Sequence, residues 1–236
     1  MSKYSPVWPH GDIINAFENI YVVRGTNITC FEDKKIQHSR NMTIIASNNN
    51  LTLINTVRLN EKGLQGLNNL GTVKHIISIG AFHGRDDEFY LDKYKAQYWS
   101  VQSGEISHPV HYLHDKDKLP IPNGCFFKFK NSCPAEGYIY IERQDGIIIT
   151  CDSIKNWVEI DSFFNEETAI RAISQGEISK ARISPIWLNA TGVTQGDFDC
   201  LLKLKFKHLI SAHGDVLRDT AYEDVKKSVG AITKIR

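Results

Sequence analysis

The sequence predicts a mixed α+β domain, with helices packed outside two β-sheets or one large mixed sheet. Two observations carry this. Short apolar, β-branched runs dominate the first two thirds of the chain, and helical spacing mixes with strand-like runs in the last third. No repeat, no linker rich in Pro, Gly or Ser, and no low-complexity tract longer than residues 47–50 interrupts them. Residues 1–236 therefore read as one domain.

The elements follow in order. Residues 19–24 (NIYVVR) read as a strand. Residues 42–46 and 51–55 are apolar runs flanking SNNN, the pattern of a hairpin. Leucines at 59, 64, 67 and 70 give residues 59–70 the spacing of a short amphipathic helix. Residues 73–79 (VKHIISI) read as a buried strand. Beyond it, Phe89, Tyr90, Tyr94, Tyr98 and Trp99 have spacings that suit a helix packed on a sheet. Residues 125–129, 138–141 and 146–150 are strand-like. Residues 166–174 and 195–204 read as helices, residues 208–212 as a strand, and residues 219–229 as a final helix with Asp219 as its N-cap.

Composition excludes several tasks. Apolar residues make up 42% and charged residues 23%, near globular averages, so wholesale disorder is excluded. Lys plus Arg is 28 and Asp plus Glu is 27, a balance that argues against nucleic-acid binding as the main task. The cluster KLKFKH at residues 203–208 has no aromatic stacking platform beside it. No apolar run approaches the roughly 18 residues of a membrane span. The five cysteines are scattered, without a CxxC pair, and the N-terminus does not read as a signal peptide. Reduced thiols in a cytoplasmic protein are the expectation.

Three apolar strands each run into side chains able to bind metal. Residues 73–79 lead to His83, Asp86 and Asp87; residues 146–150 lead to Cys151 and Asp152; residues 208–212 lead to His213 and Asp215. Ligands gather beyond the carboxyl ends of strands, which give side chains rigid mounts. Imidazole and carboxylate donors suit Zn²⁺, Fe²⁺ or Mn²⁺. Singly, each group has an ordinary reading as a helix cap, a turn or a solvated loop. Their coincidence at three strand ends points to one shared site.

The order of these motifs resembles the metallo-β-lactamase fold superfamily. LTLINTV at residues 51–57 resembles its second-strand motif, and IISIGAFHGRDD at 76–87 its H-x-H-x-D-H loop. SCPAEG at 132–137 stands where a G-H-T-P-G turn is expected. GIIITCDS at 146–153 resembles the strand ending in the bridging Asp, and LISAHGD at 209–215 the strand ending in the last His. The resemblance implies an αββα sandwich, two facing mixed sheets flanked by helices, with the site at one edge.

This sequence departs from that pattern, and resembles a branch with degenerate metal motifs. Ala81 stands at the first His of the loop, His83 at the second, Arg85 at the Asp and Asp86 at the last His. A one-residue slip would make Asp86 the Asp equivalent and Asp87 the final position. Ser132 takes a His position, and Asn55 replaces a structural Asp. Asp152 and His213 are kept. The resemblance thus implies one divalent ion (Zn, Fe or Mn) among His83, Asp86 or Asp87, Asp152 and His213. A metal-activated water would be the nucleophile. Whichever of Asp86 and Asp87 is not a ligand would be its general base, and Arg85 could bind an anionic group of a small-molecule substrate. His108, His111 and His114 are candidates to replace missing imidazoles, although surface loops are their default. His75 reads as a core histidine, His10 as a loop residue, and Cys151 as a buried thiol. The leading expectation is a metal-dependent hydrolase. The alternatives are a metal-free binding protein on the same fold and an iron-dependent oxidoreductase.

Overall fold

The chain opens as an antiparallel meander of β1 (Ile14–Phe17), β2 (Ile20–Phe31), β3 (Lys34–Ser47) and β4 (Asn50–Ile54). The structure is a computed structural model that describes residues 3–31, 33–102 and 106–232. Asn48 and Asn49 take left-handed backbone conformations, with φ of 49° and 63°, and Ser47 pairs with Asn50. That is the two-residue turn whose twist matches the strands it joins, so the predicted hairpin is present. β2 and β3 are longer than their apolar runs suggest, because they stay paired through polar residues as far as Phe31 and Lys34.

Helix α1 (Glu61–Leu70) then leads to β5 (Thr72–Ser78), and α2 (Asp87–Tyr94) to β6 (Gln97–Ser100), followed by β7 (Val110–Tyr112). The side chain of Asn60 caps α1 by accepting from the Gly63 amide at 2.8 Å. β4 to β7 run parallel, completing a sheet of strand order β1-β2-β3-β4-β5-β6-β7. The helical reading of the aromatic set is corrected here. Lys95 adopts φ 54° and ends α2, so Tyr98 and Trp99 lie on β6 instead.

The second sheet holds β8 (Gly124–Lys128), β9 (Gly137–Ile141), β10 (Ile147–Thr150) and β11 (His208–Ser211), in the order β11-β10-β9-β8. β10 and β11 are parallel, and the other pairs antiparallel. Between β10 and β11 lie α3 (Glu166–Ser174), as the sequence predicts, and α4 (Pro185–Thr191). The helix expected over residues 195–204 is two short 3₁₀ turns. The Asp197 carboxylate accepts from Thr194 and Asn131 and holds the first turn tight. Helix α5 (Ala221–Ala231) closes the fold. Its N-cap is Thr220 and not Asp219, which sits at φ 64° with its amide bonded to His208.

The two sheets face each other. Ile20, Ile45, Ile54 and Ile77 of the first pack against Phe126, Ile139, Ile149 and Ile210 of the second in one buried cluster. The opposite faces carry the helices: Ile44, Leu53 and Ile76 pack with Leu67 of α1 and Tyr90 and Leu91 of α2, while Ile148 and Leu209 pack with Trp187 of α4 and Val225 of α5. Alternate residues of Ile147–Thr150 thus meet sheet and helix, and a strand buried on both faces reads as one apolar run. Ile149→Ala is expected to lose about 3 kcal/mol of stability, the usual cost of emptying a buried aliphatic site. Denaturant unfolding would measure it, and a loss below about 1 kcal/mol would mean the sheets are not tightly packed there. Among the described residues, no helix is long and apolar enough to cross a membrane.

Candidate metal centre

Parallel pairing of β10 and β11 aligns Thr150 with Ser211. Asp152 and His213, each two residues further on, therefore emerge side by side. The first sheet delivers His83 from the loop after β5. That loop is tied to the second sheet by the Gly80–Glu136 bridge and by the Gly137 amide donating to the Ile79 carbonyl at 2.9 Å. A Cβ at Gly80 would lie 2.7 Å from the Cys151 sulfur, so this close approach requires glycine.

These elements bring three side chains to a point. His213 Nε2 lies 3.0 Å from Asp152 Oδ1 and 3.0 Å from His83 Nε2, and His83 Nε2 lies 3.3 Å from Asp152 Oδ2. His213 Nδ1 lies 3.0 Å from the Ser39 carbonyl oxygen. A carbonyl only accepts, so Nδ1 bears a proton, and Nε2 is the nitrogen left to present a lone pair to a cation. That lone pair faces a carboxylate oxygen and a second imidazole nitrogen. One ring proton cannot satisfy all three contacts, whereas a divalent cation accepts from all three atoms at once. The donor set fits a metal ion on this ground. Cys151 adds a thiol: His83, Cys151 and Asp152 offer ligand atoms within 4.8 Å of one another.

The electrostatics agree. Burial pushes His83 down to about 4, overcoming the pull of Asp152, so the ring is neutral at pH 7. Burial alone would raise the Asp152 carboxyl, but His83 and His213 outweigh it and hold it well below the usual carboxylate range. Burial, Asp152 and Glu136 raise the Cys151 thiol well above its ordinary value, so it stays protonated until a cation displaces the proton.

The third strand of the first sheet positions His213, a role not read from the sequence. Besides the Ser39 carbonyl, Asn41 Nδ2 donates to the Ser211 and Gly214 carbonyls at 2.9 and 2.6 Å. The Asn156 amide donates to the His213 carbonyl at 2.8 Å. Trp157 donates to the Ser39 hydroxyl at 2.9 Å and packs its ring 4.9 Å from that of His213, with His38 at 5.1 Å. Burial takes His38 down to about 3, which keeps it uncharged. The available signal was the polar run His38 to Asn41 directly before MTIIA, since buried polar groups within a strand are there to bond something. By contrast, His83 Nδ1 is buried without a hydrogen-bond partner among the described residues.

Asp86 and Asp87 are not part of this cluster, which corrects their expected roles as ligand and general base. Asp86 Oδ2 accepts from the Arg58 amide at 3.1 Å and lies 3.9 Å from the buried guanidinium of Arg40. Asp87 is fully buried, and its oxygens accept from Thr56 at 2.6 Å and Tyr98 at 3.0 Å. Asp86 Oδ1 is buried without a hydrogen-bond partner among the described residues, but neither carboxylate joins the His83, Cys151 and Asp152 group. The carboxylates instead knit α2 to the strand ends around Arg40, whose other nitrogen donates to the Thr56 carbonyl.

Burial raises Asp87 to about 6. A folded-state value above the unfolded one means that the ionised group costs stability above pH 6. That cost disappears as the pH falls toward 4. Asp87→Asn mimics the protonated form. Wild type is expected to gain up to about 3 kcal/mol on this variant between pH 7.5 and pH 4, as read by urea unfolding at each pH. A pH-independent difference would show that Asp87 keeps an ordinary value.

The other candidates lie elsewhere. Ser132 donates to the Pro134 carbonyl at 2.7 Å, His108 pairs with Asp92 at 3.1 Å, and His111 stacks on Trp99 at 4.6 Å. His114 lies 3.5 Å from Asp117, His75 3.4 Å from the Trp99 indole nitrogen, and His10 accepts from the Asn60 amide at 2.9 Å. Arg85 is exposed at the rim of the adjoining cavity.

Two facing mixed sheets between helices, with His and Asp on the loops at one edge, define the metallo-β-lactamase fold, and this chain has that fold. No protein-family model and no curated protein sequence matches it. Among solved structures, it is similar to the DIM-1 metallo-β-lactamase exposed to ceftazidime, with TM-score 0.61 and 11% identity over 95% of this chain and 98% of that one. It is also similar to the mono-zinc form of the metallo-β-lactamase FIM-1 from Pseudomonas aeruginosa, with TM-score 0.56 and 11% identity over 100% and 99%. A third likeness is to the metal-soaked Flv1 flavodiiron core from Synechocystis sp. PCC6803, with TM-score 0.65 and 12% identity, covering 97% of this chain and 62% of that one. At such identities the likeness is one of fold.

Proposed function

We propose that this chain is a metal-dependent hydrolase acting on a small-molecule substrate, with one divalent ion held by His83, Asp152 and His213. The observation that carries the reading is the convergence of Asp152 Oδ1, His83 Nε2 and the His213 Nε2 lone pair, the last fixed in place by the Ser39 carbonyl. An ion bound there supplies Lewis acidity and lowers the pKa of coordinated water toward neutrality. The chain's own residues do the rest. Asp152 stays ionised between two imidazoles and offers an oxygen to each. Cys151 stands beside the set as a further donor. With Ala81 and Ser132 at two imidazole positions of the resembled pattern, the donor set supports one ion better than two. The unpaired cysteines among the described residues suit a reducing compartment, which we read as the cytoplasm.

Likeness to the Flv1 flavodiiron core favours a second reading, an iron-dependent oxidoreductase. Metal-loaded protein assayed in parallel for release of nitrophenol from a panel of nitrophenyl esters and for oxygen consumption separates the two. Ester hydrolysis lost in Asp152→Asn, without oxygen uptake, is the expected result. Oxygen uptake by iron-loaded protein without hydrolysis would move the assignment to the second reading. Neither activity, with metal bound, would leave a binding protein.

A further inference from the structure

We propose that the cavity beside the cluster takes a small organic anion, a carboxylate or phosphate group on a flat apolar body. As a statement about substrate, this rests on reading His83, Asp152 and His213 as the reacting centre. The cavity has a volume of about 660 Å³, within the usual range for small-molecule sites. It adjoins the cluster through His38 and Trp157, whose rings pack on that of His213. Phe82 and Arg85, from the loop that carries His83, line its other flank.

The charges of the lining decide the class of ligand. Arg85, Lys155, Arg171 and Glu177 are its ionisable residues of fixed charge. Glu177 is committed: Oε1 accepts from the Ser184 hydroxyl at 2.7 Å, and Oε2 lies 3.5 Å from Lys155 Nζ. That pair cancels. Arg85 and Arg171, one from the loop after β5 and one from α3, are exposed and have no salt-bridge partner among the described residues. Two uncommitted guanidinium groups therefore share one cavity, and guanidinium matches the planar oxygens of carboxylate and phosphate in a bidentate manner. Thr29, Thr168 and Gln175 add neutral polar groups, and the rest of the wall is largely apolar, with Trp157 and Phe164 meeting edge to face at 5.2 Å beside Phe82. Such walls favour an aromatic or alicyclic body over a bare inorganic ion.

Calorimetric titration with 1-naphthyl phosphate, 1-naphthoate, 1-naphthol and inorganic phosphate tests this on metal-free and metal-loaded protein. One or both naphthyl anions are expected to bind metal-free protein at least ~10-fold more tightly than 1-naphthol and inorganic phosphate, and their order identifies the headgroup. Arg171→Ala should weaken that binding by about 10-fold, the size of one charge-assisted contact. Arg171 is exposed on α3, and an unchanged circular dichroism spectrum would show the variant folded. Equal binding of 1-naphthol, or wild-type affinity in Arg171→Ala, would overturn the proposal. So would anion binding that appears only with metal and ignores Arg171. The two readings fail separately. Arg171-dependent binding in a protein that takes up no metal removes the metal centre and keeps the anion pocket, whereas metal uptake without Arg171-dependent binding does the reverse.

Discussion

His213→Ala is expected to lower metal affinity by more than the ~10–100-fold that follows loss of a supporting hydrogen bond. His213 supplies the nitrogen that lies 3.0 Å from both Asp152 and His83, so its removal leaves one imidazole and one carboxylate. Asn41→Ala provides the graded comparison. It removes two hydrogen bonds that hold the Ser211 and Gly214 carbonyls but no ligand, so an intermediate loss of about 10-fold is expected. Competition against a chromophoric chelator measures both. Wild-type affinity in His213→Ala would place the metal elsewhere. Equal losses in the two variants would mean that Asn41 acts by collapsing the loop.

The largest effect on stability is expected at Gly214. Its φ is +90°, and a Cβ there would lie 2.0 Å from the Asn156 carbonyl oxygen, a backbone atom that cannot rotate away. Strain in the disfavoured region costs about 1–3 kcal/mol and overpacking a similar amount. Gly214→Ala should therefore lose about 4 kcal/mol, a fall in Tm on the order of 10 °C for a chain of this size. Gly176 is the control, with φ +65° but nothing nearer than the Arg182 guanidinium at 3.9 Å. Gly176→Ala pays only the conformational term, about 1 kcal/mol. Equal Tm shifts for the two would show that the loop after His213 relaxes freely, and the positioning of His213 by its neighbours would then lose its rigid basis.

His83, Asp152 and His213 were legible in the sequence for a physical reason. Each follows the end of an apolar strand within five residues, and strand ends converge in α/β architecture. Asp86 and Asp87 misled because a carboxylate beside a histidine has the same sequence signature whether it binds a metal or a guanidinium. Only the positions of Arg40, Arg58, Thr56 and Tyr98 separate the cases, and three of these four precede the carboxylate they face by 28 or more residues. Ser39 and Asn41 were hidden differently. They sit on β3, where it runs past its apolar stretch to reach the second sheet's edge, and a polar tract gives no period from which to read a strand. The same blindness cost β6 and β7, which are short, and α4, which starts on Pro185. The fold class survived these misses because apolar runs such as residues 73–79 and 146–150 form interior strands of the two sheets.

Elemental analysis of protein purified without chelators or added metal, beside His213→Ala prepared identically, tests the metal centre most directly. About one equivalent of Zn, Fe or Mn per chain, absent from the variant, is the expected result. No metal in folded protein that also takes up none when ions are added would contradict a centre built on His83, Asp152 and His213.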